Sequence, residues 1–127
     1  MIRISAWAEV ETEAIGADVA IAEFAVVRPD VTIANRVVIH PHVVIESGAR
    51  VGDNVEIFPG AYIGKAAKGA GALSLAPRFE AWVDIGADCS IGPHAVIFYD
   101  VSLDGSYQVW SEHNRVDPRR HQHVSRS

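Results

Sequence analysis

Three histidines fall inside the most regularly patterned part of the chain, His40, His42 and His94, and histidine is the side chain best suited to take a proton from a hydroxyl or amine near neutral pH. Each is a candidate general base. Three cations, Lys65, Lys68 and Arg78, flank a stretch rich in Gly and Ala. They suit an anionic group such as a phosphate, the plainer alternative being charge that faces water. The glycines between them are too few and wrongly placed for a P-loop or a dinucleotide fingerprint. Cys89 is the only cysteine, so an intrachain disulfide is excluded, a zinc site cannot rest on thiolates, and a reducing compartment fits.

The elements that must position these groups follow from length and pattern. The chain has 127 residues, one domain at most when a single core takes roughly 100–200 residues. A net charge of -5 makes it a poor match for a nucleic-acid backbone. The first ten residues lack a basic segment followed by an apolar one, and the sequence has no apolar run of about 18 residues. The expectation is a soluble cytoplasmic protein with no nucleic-acid or membrane partner.

Large apolar residues recur every six positions. From Ile15 the steps are Ile21, Val27, Ile33, Ile39, Ile45, Val51, Ile57 and Ile63, and a second run gives Phe79, Ile85, Ile91, Ile97 and Leu103. Four positions after them come small or β-branched residues, Val19, Ala25, Val31, Val37, Val43, Ala49, Val55, Ala61, Val83, Cys89, Ala95 and Val101. Pro29, Pro41, Pro59 and Pro93 hold a slot that a central strand would not tolerate. The next slot holds Asp18, Asp30, His42, Gly48, Asn54, Gly60, Asp88, His94 and Asp100, types that accept positive φ. A conformational reason thus already accounts for His42 and His94. Each hexad predicts a short strand and a sharp corner, and stacked coils of such units bury a continuous interior. A β-sandwich would need period-two alternation and turn signals every 8–12 residues instead.

In these in-phase hexads, and in stretches such as Ala49 to Ile57 and Ile85 to Ile97, residues 8–104 resemble the hexapeptide-repeat acyltransferases. The resemblance implies an all-β fold, a left-handed parallel β-helix with three hexads per coil and about four to five coils. It also implies a homotrimer with donor and acceptor sites between subunits. The register breaks after Lys68, and Gly69 to Arg78 reads as a ten-residue loop extruded from one corner of a domain spanning 1–104. The resemblance implies acetyl transfer from acetyl-CoA, a substrate and not a resident cofactor, to a hydroxyl or amine of a sugar or nucleotide-sugar. Lys65, Lys68 and Arg78 are then expected at the phosphates of coenzyme A or of a nucleotide-linked sugar. His94, which follows the loop in a well-formed repeat, is the expected catalytic base. His40 and Glu46 share a slot in consecutive hexads, which three hexads per coil place on different faces. Two rivals are a non-catalytic assembly subunit and a γ-type carbonic anhydrase. The latter holds zinc with three histidines, and its later pair, five residues apart, has no counterpart here, so no metal site is expected.

After Leu103 the six-residue count stops, since further steps reach Val109, Arg115 and His121. Residues 105–127 carry four arginines against Glu112 and Asp117 and predict an irregular or disordered basic tail. A second explanation is a shifted reading frame. Back-translation from Tyr107 with a one-base shift permits Ile-Arg-Ser-Gly-Ala-Asn-Ile-Ile-Gly-Ser-Ile, which looks like further repeat. Lost C-terminal coils would make catalysis by this chain doubtful and expose a strand edge to self-association.

Overall fold

The computed structural model describes residues 1–65, 81–99, 101–103, 105–106 and 108–109, and the backbone strands at 115–116 and 121–122. The described residues form an all-β, parallel solenoid of about five turns with no helix. β-Branched residues dominate the strands because their side chains pack well on a pleated surface.

The coils lay their strands into three parallel sheets. The first contains Arg3–Ile4, Ala20–Ile21, Val38–Ile39, Glu56–Ile57, Ser90–Ile91 and Gln108–Val109. The second runs from Glu9–Val10 through Val26–Val27, Val44–Ile45, Tyr62–Lys65 and Val96–Phe98 to Arg115–Val116. The third holds Thr32–Ile33, Ala49–Val51, Val83–Ile85, Val101–Leu103 and His121–Gln122. Regular coils advance 18 residues, so Ile21 pairs with Ile39, Ile39 with Ile57, and Ile91 with Val109. Identical register stacks like on like, and the result is a column of isoleucines with the smaller Val, Ala and Cys residues beside it, all buried.

The corners explain the polar slot. Asp18, Asp30, His42, Asn54, Asp88 and His94 have φ between 58° and 66°. Phe24, Arg36 and Ser106 adopt the same conformation without belonging to the favoured types. Stacking offsets the strain at Phe24, whose ring lies 5.2 Å from that of His42 and 6.4 Å from that of Trp7. At Arg36 the guanidinium donates to Asn54 Oδ1 at 3.2 Å.

Two departures from the six-residue count have a common cause, a coil of unequal length. Ile85 pairs with Val51 on the third sheet, directly after Ile63 on the second. Phe79 and the expected loop 69–78 lie outside the described residues. Past Leu103 the ladder continues where an irregular tail is expected. Val109 is buried opposite Ile91, Val116 pairs with Ile97 and Gln122 with Leu103. Those last two pairs are 19 residues apart, one more than a regular coil. A strict count therefore lands on Arg115 and His121, which pair with Val96 and Ser102.

Close stacking makes Gly52 sensitive to substitution. A Cβ at Gly52 would lie 2.8 Å from the Ala87 amide nitrogen and 3.0 Å from the Ile85 carbonyl oxygen, both backbone atoms that cannot move aside alone. Gly52→Ala is expected to destabilise by about 1–3 kcal/mol, the usual cost of overpacking. Urea denaturation of the two proteins checks this; equal midpoints would contradict the packing.

Candidate functional site

His40 directly follows the strand Val38–Ile39, and its amide donates to the Ile57 carbonyl of the next coil at 3.0 Å. The 18-residue advance sets Phe58 beside His40, and the rings stack with centroids 5.0 Å apart and planes 8° from parallel. Glu56 lies two residues earlier on the same outer surface, and its Oε2 is 2.7 Å from His40 Nε2. An ionised carboxylate only accepts, so this contact places the proton on Nε2 and leaves Nδ1 of a neutral imidazole as an acceptor. Both side chains are partly exposed, 31% for His40 and 43% for Glu56. The imidazole, stacked on Phe58 and hydrogen-bonded to Glu56, therefore stays partly open to solvent.

A shallow trough leads to this pair. Its lining includes Ile4, Ala20, Ala22 and Val38, with Arg3 and His40 among its polar groups. Alanines at 20 and 22 leave room between the coils that a longer side chain would fill.

Glu46, the carboxylate nearest His40 in slot and sequence, is not its partner. It belongs to the second sheet, where Tyr62 Oη donates to its Oε2 at 2.9 Å and Arg28 Nε to its Oε1 at 3.4 Å. Arg28 also faces Glu11 at 3.9 Å. Burial, then the hydrogen bond to Glu46 and its charge, push the Tyr62 phenol above its ordinary pKa. Tyr99 is raised too, first by burial and then by Glu46, while its hydroxyl donates to the Ser47 carbonyl at 2.8 Å. A raised phenol resists ionisation when folded, so its contribution to stability is complete below pH 10 and fades as pH rises through the folded value. Tyr62→Phe removes one such group. Its stability is expected to fall less steeply above pH 10 than that of the parent chain, as measured by denaturant midpoints on either side of that pH.

The other expected residues are dispersed. His94 is exposed at a corner with φ of 60°, and its ring packs over Gly60. Among the described residues no carboxylate hydrogen-bonds to it. His42 stacks on Phe24. Lys65 Nζ sits 5.9 Å from the ring centroids of both Tyr62 and Phe98, a cation between two aromatic faces. Lys68 and Arg78 lie outside the described residues. The His40 and Glu56 pair was the one missed in the sequence. Its signal is a spacing of 16, one coil less two residues, which joins neighbouring strands diagonally across a single outer surface.

Residues 14–47 match the family model described as bacterial transferase hexapeptide (six repeats). No curated protein matches the chain. Among the described residues no helix is long and apolar enough to cross a membrane. The matched repeat is typical of bacterial transferases and supports a transferase in general. The match, together with hexads in register through about five coils, supports a hexapeptide-repeat β-helix family.

Proposed function

We propose that this protein is an acyltransferase that moves an acetyl group from acetyl-CoA to a hydroxyl or amine of a sugar or nucleotide-sugar, acting as a cytoplasmic homotrimer. The observation that carries the reading is the pairing of His40 with Glu56 at 2.7 Å beside an open, largely apolar trough. In the reaction, Nδ1 of His40 takes the proton from the acceptor hydroxyl or amine as that atom attacks the thioester carbonyl. The carbon–sulfur bond then breaks, and the thiolate leaves with the proton returned from the imidazolium. Glu56 orients the ring and stabilises its charged form.

His94 is the alternative base, favoured by exposure and disfavoured by the want of an orienting carboxylate among the described residues. Lys65 is proposed, with Lys68 and Arg78, as a contact to the donor's phosphates. A second reading, a non-catalytic assembly subunit, draws on the exposed Ile2, Ile4 and Val38 of the first sheet. Calorimetric titration with acetyl-CoA separates the two. Saturable heat is expected for the transferase, whereas a flat titration would favour the assembly subunit.

A further inference from the structure

The corner between the second and third sheets carries a polar notch on the far side of the coil from the strand bearing His40. It is lined by Asp30, Thr32, Gly48, Arg50, Trp82 and Asp84. The backbone fixes this arrangement. The Gly48 amide donates to the Asp30 carbonyl at 3.0 Å, and the Val83 amide donates to the Gly48 carbonyl at 3.2 Å. Gly48 has φ of 93°, and a Cβ there would collide with the Ala81 carbonyl oxygen. Position 48 therefore stays without a side chain for a conformational and a steric reason. Register sets Thr32, Arg50 and Asp84 side by side, yet Arg50 is exposed and forms no ion pair among the described residues.

These groups form a particular chemical set. An indole offers an apolar flat surface, two carboxylates accept hydrogen bonds from hydroxyls, a guanidinium donates, and a threonine hydroxyl does both. A pyranose presents the complement, with C–H groups on its faces and hydroxyls around its rim. A phosphorylated ligand suits the notch less, because its lining holds two carboxylates, Asp30 and Asp84, against the single cation Arg50, and they repel a dianion. We infer that this notch is a binding site for an uncharged pyranose sugar, the ring resting on Trp82 with Asp30, Asp84 and Arg50 holding its hydroxyls. The site is separate from the His40 surface and does not depend on the acyl-transfer reading.

Saturation-transfer NMR on the full chain tests it with methyl α-D-glucopyranoside and its N-acetylglucosamine counterpart. Transfer to the ring protons of at least one glycoside is expected, and it should vanish in Trp82→Ala. Arg50→Ala should weaken binding about tenfold, in line with the loss of a charged hydrogen bond. His40→Ala should leave it intact. Glucose 1-phosphate should bind more weakly than the neutral glycoside. Absence of transfer to both glycosides overturns the assignment, as does transfer that survives Trp82→Ala. If Trp82→Ala fails to fold by circular dichroism, the exposed Arg50→Ala decides, and unchanged affinity there overturns the proposal. Tighter binding of the phosphorylated sugar would overturn the uncharged class.

Discussion

Ile57→Ala is expected to lower the unfolding free energy by about 2–5 kcal/mol, the range for truncating a fully buried large aliphatic side chain. Ile57 is fully buried in the middle of the first-sheet column, between Ile39 and Ile91. The void cannot be closed by sliding the neighbours together, because ladder hydrogen bonds fix the coil spacing on both sides. The Phe58 amide donates to the Ile91 carbonyl at 2.8 Å, and the His40 amide to the Ile57 carbonyl at 3.0 Å. A solenoid is stabilised by contacts between adjacent coils, so weakening a central coil damages two interfaces at once. Val38→Ala, on the outer surface of the same sheet and partly exposed, serves as the control and should change stability by less than about 0.5 kcal/mol. Chemical denaturation of both variants checks the pair. Equal losses would mean that position in the column does not decide the cost.

The second large effect concerns chemistry. His40→Ala is expected to reduce acetyl transfer about 10²–10⁴-fold, the usual contribution of a positioned general base. Coenzyme A binding should change little, since the lost group acts on the acceptor proton. Glu56→Gln should reduce turnover less. The amide of glutamine can turn its nitrogen toward His40 Nε2, which favours the tautomer protonated on Nδ1 and takes away the acceptor that the reaction needs. His94→Ala provides the comparison. Retained turnover in that variant, with loss in His40→Ala, assigns the base to His40; the reverse result assigns it to His94. Steady-state rates measured with acetyl-CoA and a panel of sugar and nucleotide-sugar acceptors distinguish these outcomes.

Much of the architecture was legible because a local rule repeats. Ile21, Ile39 and Ile57 are spaced so that each stacks on its like, and the corner residues Asp18, Asn54 and His94 adopt the positive φ that their slot implies. Counting failed at Arg115 and His121. A period of six tolerates no inserted residue, while hydrogen-bonded ladders absorb one readily by letting a corner grow. The backbone pairs Val116 with Ile97 regardless of the count.

The candidate site divides along the same line. From sequence alone came the stacked coil and the buried columns, because each depends only on period; the separation of His40 from Glu46 also needed the three hexads per coil that the family resemblance implies. Only the tertiary structure chose Glu56 as the partner of His40, set Phe58 beneath the imidazole, and gathered Trp82, Gly48 and Asp30 around one notch. Those neighbours are 16 or more residues apart in the chain, and Gly48 and Trp82 lie on either side of the break in the repeat. Which side chains meet across coils depends on how many residues each corner consumes, a quantity set by the packing of the whole stack.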